Sequence, residues 1–280
     1  MRLLPPRHHA TLMAMRIRIL GSGSSGNAAL VETESARVLI DAGFSGRKLT
    51  QLLREADTRM EDIDAIFVTH EHGDHTAGLN TITKKHAHLT LFANAPTARA
   101  VQTKLAVRPT WQVFQTGSRF RYRDLEVDAF AVPHDAQEPV GFVFTTGNAD
   151  DLFAPRRSLA WLTDLGHIPR HVRERIREVD FIAIESNHCA QLLEADHKRP
   201  WSTKQRISGR HGHLSNDGCR EILTEIASPH WRHVCLTHLS RDCNSLTAVE
   251  SAMAEIRSRL TGCTFSIVGP GEGTPFLELG

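Results

Sequence analysis

Short apolar runs recur along the chain, and several end abruptly on a polar or charged residue. Arg16-Ile17-Arg18-Ile19-Leu20 alternates as a strand does, passes through Gly21–Asn27, and is expected to return as Ala28–Glu32. Val38-Leu39-Ile40 predicts a further strand, closing in Asp41-Ala42-Gly43. Ser45–Ala56 has helical spacing, with Leu49, Leu52 and Leu53 on one face. Asp64–Thr69 is apolar and β-branched, the pattern of a buried strand. Residues 76–87 then predict a helix, Leu89–Ala93 a strand and Ala95–Leu105 a helix. A β-meander is expected around 111–132, with further strands at 158–162, 181–184 and 234–236. No repeat of fixed period is present. What recurs is a strand followed by a short loop carrying a polar residue, at positions 70, 134, 164, 185 and 238, which suits an α/β chain.

The densest of these loops is His70-Glu71-His72-Gly73-Asp74-His75, between the strand at 64–69 and the start of a helix at Thr76. Gly73 offers backbone freedom in a tight turn. Such a turn projects residues 70 and 72 to one point and 74 and 75 to another nearby. Imidazole nitrogens and a carboxylate are what two adjacent metal ions require. The competing reading, a polar surface turn, must be weighed in a chain with 17 histidines. The strand-then-helix context favours the metal.

This stretch resembles the His-x-His-x-Asp-His signature of the metallo-β-lactamase-fold hydrolases. The resemblance implies an α/β fold, the αββα sandwich of two mixed sheets with helices outside. It also implies further ligands on distant loops. Pro133-His134-Asp135-Ala136 matches the family's third imidazole, Thr163-Asp164-Leu165-Gly166 its bridging aspartate, and Thr237-His238 its last ligand. His70, His72 and His134 are thereby assigned to one ion, Asp74, His75 and His238 to a second, and Asp164 to both. Asp41 is expected to support the site through hydrogen bonds without binding metal. His86 and His88 match no family position and are read as surface residues.

Composition narrows the picture. Lysine and arginine number 33 against 32 acids, so any contact with a polyanion must come from a local patch. Five cysteines without a CxxC pair read as reduced thiols of a cytoplasmic protein. No run reaches membrane-spanning length. Residues 1–14 are expected to be a disordered extension, with Met13 or Met15 as alternative starts, and 15–280 a single domain. The Gly21–Asn27 loop reads equally as a hairpin turn and as a substrate-facing loop whose amides suit a phosphate.

Three features direct the expected chemistry toward phosphodiesters. Gly212-His213-Leu214-Ser215-Asn216 resembles the "G-H-L-S-N" of the YycJ (WalJ) branch and, more distantly, the tRNA-maturing endonucleases of the fold. Glu185 stands where those endonucleases place a glutamate beside that histidine, a pair suited to protonating a leaving oxygen. The stretch Lys198, Arg199, Trp201, Lys204, Arg206 concentrates positive charge around an aromatic ring able to stack on a base. With Ser215 and Asn216 these residues form the expected substrate contacts, while Asp74, His213 and Glu185 are the expected catalytic groups. Where the family commonly has aspartate after His188, this chain has Cys189. The expected function is a hydrolase with two divalent ions, zinc or manganese, acting on DNA through a metal-bridging hydroxide. Exonuclease action from 5′ to 3′ is one form of it. A thioesterase or lactonase of the same fold is the alternative, and a non-catalytic DNA-binding module is disfavoured by so complete a ligand set.

Overall fold

A computed structural model describes residues 15–148 and 155–279, so the expected extension at 1–14 lies outside the described residues. The first half contains β1 (Arg16–Gly21), β2 (Ala28–Glu32), β3 (Arg37–Ile40), α1 (Gly46–Arg54), β4 (Ala65–Phe67), α2 (Gly73–Thr76), α3 (Leu79–Lys85), β5 (Thr90–Asn94), α4 (Ala95–Gln102) and β6 (Thr110–Phe114). The second contains β7 (Arg119–Tyr122), β8 (Leu125–Ala131), β9 (Val140–Thr146), β10 (Arg157–Leu162), α5 (Arg170–Ile176), β11 (Phe181–Glu185), α6 (Ala190–Ala195), α7 (Trp201–Ser208), α8 (Asn216–Glu225), β12 (His233–Thr237), α9 (Leu246–Arg259), β13 (Thr264–Ile267) and β14 (Leu277–Glu278). Two seven-stranded sheets result, ordered β14-β1-β2-β3-β4-β5-β6 and β13-β12-β11-β10-β9-β8-β7. Both are mixed: β3 to β6 run parallel, as do β10 to β13.

The central strands are buried along nearly their whole length because both of their faces are covered. Alternate residues serve different cores. Val38, Ile40, Ala65 and Phe67 enter the layer between the sheets with Leu159 and Trp161 of β10. Leu39, Ile66 and Val68 face out toward Leu49 and Leu53 of α1, while Ala160 and Leu162 face out toward Val172 of α5 and Val249 of α9. Helix, sheet, sheet, helix is the αββα arrangement. Phe67 pins its middle, stacked on Phe92 at 4.5 Å between ring centroids and edge-on to Phe144 at 5.2 Å.

Three local features depart from the sequence reading. The stretch around 111–132 is not one meander. β6 pairs parallel to β5 in the first sheet, and the chain then crosses to the second sheet, where β7, β8 and β9 form the antiparallel run. The helix expected at 76–87 begins earlier, at Gly73 with His72 as its cap, and is interrupted before α3. At the interruption the Gly78 amide donates to the Ala42 carbonyl at 2.8 Å, and the Asp74 carbonyl accepts the Asn27 amide at 2.8 Å, so the helical bond between 78 and 74 is replaced on both sides. Gly73, by contrast, uses none of its freedom: it is helical and a Cβ would meet nothing within 4 Å. The left-handed backbone near the motif lies instead at Asp41, Asp164 and His238, with φ of 60°, 57° and 57°.

Gly43 joins fold to motif. Its amide donates to the Asn27 carbonyl at 2.9 Å, and a Cβ would fall 1.7 Å from the Asp74 backbone oxygen. Gly43→Ala is therefore expected to lower unfolding stability by about 1–3 kcal/mol, the usual range for overpacking. Denaturant unfolding checks this, and an unchanged midpoint would show that the Asp74 turn yields freely.

Candidate metal centre

The loops that leave β3, β4, β8, β10, β11 and β12 converge at one edge of the sandwich, where the two sheets meet. Four groups of donors form there, each with ligand atoms within 4.8 Å of one another: His70, His72 and His134; Asp74, His75 and His238; His70, His75 and Asp164; and Asp164, Glu185, His213 and His238. The structure thus brings the seven expected ligands together; two of the groups coincide with the expected sets, and the other two cross them, joining His70 to His75 and His238 to Glu185 and His213. Asp164 sits in the groups of both halves. Its Oδ2 lies 2.9 Å from His75 Nε2, and its Oδ1 lies 3.6 Å from His238 Nδ1 and 3.7 Å from His134 Nε2.

Hydrogen bonds around the imidazoles follow a single rule. His75 Nδ1 is 2.7 Å from Asp41 Oδ2, His134 Nδ1 is 3.0 Å from the Gly212 carbonyl, and His238 Nδ1 is 2.6 Å from Glu185 Oε1. His70 Nδ1 is 3.0 Å from Thr69 Oγ1, whose own proton goes to Asp41 Oδ2 at 2.8 Å. With each Nδ1 engaged by an acceptor, each Nε2 is left to point inward. The Nε2 atoms of His70 and His238 are buried and have no hydrogen-bond partner. Orphaned nitrogens of this kind are costly unless something binds them, and an outer acceptor on Nδ1 is the usual support of a metal-ligating histidine. The donor set therefore fits divalent ions.

Electrostatics agree. Burial pushes the His70 pKa well below its ordinary value, helped by the charge of His75, and burial lowers His134 as well. Burial also opposes charge on His75 and His238, but the surrounding carboxylates prevail. Asp164 and Asp41 hold His75 well above the ordinary value, and Asp164, Asp74 and Glu185 hold His238 up at about 10. Asp164 and Glu185 are in turn kept ionised despite complete burial, Asp164 by His238 and His75, and Glu185 down to about 2 by His213 and His238.

Glu185 is fully buried and acts as a hub. Its Oε1 is shared by His213 Nδ1 at 2.8 Å and His238 Nδ1 at 2.6 Å, and its Oε2 accepts the amides of Leu165 at 3.1 Å and Leu214 at 3.2 Å. Expected as a catalytic group, it is placed out of reach of substrate and positions the two rings instead. Ser215 and Asn216, expected to touch substrate, are used by the fold. Ser215 caps α8, accepting the Gly218 amide at 3.0 Å, and Asn216 is buried against Ser186 and Asn244.

The basic stretch is also rearranged by folding. Lys198 pairs with Asp242, Arg199 with Asp196 and Asp242, and Arg206 with Asp135, while Lys204 donates to the Glu194 carbonyl. Its charge is thus largely neutralised within the chain. Trp201 stays 67% exposed at the start of α7, whose eight residues include none that is buried.

Sequence reasoning missed Thr69, Ser22 and Asn27. Thr69 links Asp41 to His70, the Ser22 hydroxyl accepts the His238 amide at 2.9 Å, and Asn27 Nδ2 lies 3.2 Å from His75 Nε2. The Gly21–Asn27 loop is thus a hairpin turn that also braces the centre. A hydroxyl immediately before the histidine motif was the one available signal.

A family profile described as a beta-lactamase superfamily domain matches residues 36–239. The exodeoxyribonuclease YycJ of Bacillus anthracis is 32% identical over 246 residues, 87% of this chain and 89% of that protein. The exodeoxyribonuclease WalJ of Streptococcus pneumoniae serotype 2 is 31% identical over 276 residues, 95% of this chain and 99% of that protein. Among solved structures, the zinc-bound PqqB of Methylobacterium extorquens superposes with a TM-score of 0.67 at 18% identity, covering 92% of this chain and 99% of that one. That last likeness is one of fold.

Metal uptake has a predictable proton balance. Because the pKa values of His75 and His238 are raised, both rings carry a proton at pH 7 that a metal must displace. Binding of zinc or manganese should therefore release protons and strengthen as pH rises. Calorimetry in buffers of different ionisation enthalpy measures this, and uptake without proton release would refute it. In the same titration Asp164→Ala should weaken both binding events, whereas loss of only one would remove Asp164 from the shared position.

Proposed function

The chain belongs to the β-lactamase superfamily and, within it, to the YycJ/WalJ branch of metal-dependent hydrolases, and from that premise we propose that it is an exonuclease acting on DNA with two divalent ions. The observation that carries this reading is the Glu185 carboxylate shared between His213 and His238. It stands one imidazole beside the donor clusters with its Nδ1 held and its side chain 20% exposed.

His70, His72 and His134 would hold one ion, Asp74, His75 and His238 the other, and Asp164 both. Bound there, such ions supply Lewis acidity toward a phosphoryl oxygen and a water acidic enough to attack near neutral pH. The chain's own groups do the rest. Asp74, whose side chain is 25% exposed, faces the open side and orients the attacking water. His213 is the proton donor to the leaving ester oxygen. Burial alone would lower its pKa, yet the Glu185 charge and hydrogen bond, with Asp164, raise it overall and favour the protonated ring. Glu185 fixes the orientation of that ring and maintains its charge. A carboxylate–imidazole pair beside a dinuclear donor set suits a phosphodiester, whose departing alkoxide needs a proton.

Among the described residues no helix is long and apolar enough to cross a membrane.

A panel on metal-loaded protein tests the reading: single-stranded DNA, bis-p-nitrophenyl phosphate, a thioester and a lactone. DNA and the diester should turn over. Cleavage of the thioester or lactone without any nuclease activity would overturn the proposal. His213→Ala should keep both metals and lose on the order of 10²- to 10⁴-fold in kcat, the usual worth of a positioned proton donor. Loss of metal in that variant would make His213 a ligand and end its role as acid.

A further inference from the structure

A set of cations without ion pairs among the described residues lies on two other elements, α1 and α3. Helices α1 (Gly46–Arg54) and α3 (Leu79–Lys85) pack side by side on the outside of the first sheet, with Gly46 tight against Thr81. Between them runs a groove of about 530 Å³. Arg47, Arg54 and Lys85 line it together with His86, and no carboxylate does. Lys48 and Lys84 extend the positive surface, and neither helix contains an acidic residue. All five lysine and arginine side chains are exposed, and among the described residues none of them takes part in an ion pair. Two acids near the groove have partners. Glu55 Oε1 is taken by Gln51 at 2.8 Å, and Glu61 Oε1 is 3.7 Å from His86 Nδ1.

The placement of the groove matters as much as its charge. α1 starts five residues after Asp41, which holds His75, and the loop between them bonds directly to the histidine motif: Ala42 N donates to the His75 carbonyl and Gly78 N to the Ala42 carbonyl, each at 2.8 Å. α3 starts four residues after His75. Both helices therefore descend from the rim of the donor cluster, and Arg47 marks the near end of the groove. From Arg47 to Arg54 is about 10 Å along the helix axis, at roughly 1.5 Å per residue.

Resting on the nuclease reading above, we propose that the α1–α3 groove is the track for the DNA strand that leads into the metal centre. Its cations hold the phosphates upstream of the scissile bond, and the α7 stretch does not supply that charge. Phosphate contacts fix position without reading sequence, so the track confers affinity and register and leaves base identity unread.

The test uses full-length Arg47→Gln/Arg54→Gln/Lys85→Gln protein, in which every change is on the surface. Fluorescence anisotropy with a labelled single-stranded 20-mer, run in chelator so that no cleavage occurs, reads binding apart from chemistry. The triple variant should bind about tenfold more weakly at low salt. Its slope of log affinity against log salt should be shallower by about 2, from roughly 0.7 for each of three lost phosphate contacts. On metal-loaded protein KM for the 20-mer should rise while hydrolysis of bis-p-nitrophenyl phosphate, too short to extend from the metal centre into the groove, stays within about twofold of the parent. Unchanged affinity and slope would overturn the track. So would loss of binding only in Lys198→Gln/Lys204→Gln protein, or binding of the parent to phosphatidylserine vesicles but not to the 20-mer. A parent that binds the 20-mer through the groove yet hydrolyses only thioesters or lactones would sink the nuclease reading while leaving the polyanion groove in place.

Discussion

The shared hydrogen bond of Glu185 to His213 and His238 organises the centre, because a fully buried carboxylate must be answered by donors from every side. Left unpaired, such a charge would cost several kcal/mol. Glu185 closes β11, and its four donors come from the loop after β10, from the segment leading into α8, and from the end of β12. Satisfying one charge thus sets the relative positions of four stretches of chain. Asp41 does the same for the first sheet, binding His75, the Thr69 amide and the Thr69 hydroxyl from the end of β3. The donor groups that could hold metal stand between these two hubs.

Backbone strain marks the same places. Asp41, Asp164 and His238 each follow a buried strand and each adopt the left-handed region, at a cost of about 1–3 kcal/mol apiece. Glycine would relieve that cost and lose the functional side chain. The aromatic layer around Phe67, Phe92, Phe142 and Phe144 and the flanking helices hold the strand ends so firmly that the loops have no relaxed alternative. Stability gathered between the sheets is in effect spent at their edge, where it fixes donor atoms before any ion arrives.

Much of this was legible in the chain. His70 through His75 announced the centre because consecutive ligands on one turn leave a compact signature, and His134, Asp164 and His238, each at the end of an apolar run, were marked by the family resemblance. The two-sheet sandwich followed from that resemblance. What the pattern could not convey was partnership. Ser215 and Asn216 stand beside His213 in sequence, yet helix capping and burial turn them into the fold. Glu185 reads like a catalytic acid until its complete burial is seen. The crossing of the chain between β6 and β7 was hidden because an edge strand such as β6 has no pattern that tells which sheet it joins.

Charge shows the same gap between sequence and space. Lys198, Arg199 and Arg206 crowd within nine positions and look like a basic patch, but Asp196 stands three residues before Arg199, and Asp135 and Asp242 are brought to them by folding. Those pairs anchor α7, which has no buried residue to hold it, so the run works as an attachment. On α1 and α3 the cations are split between two segments some thirty positions apart, so neither segment stands out in a chain whose net charge is +1. Only the packing of Gly46 on Thr81 turns them into one surface. A linear run of charge predicts a field only if the fold does not supply its counterions, and acidic residues are as common here as basic ones. The informative cations are those on helices that carry no acid of their own.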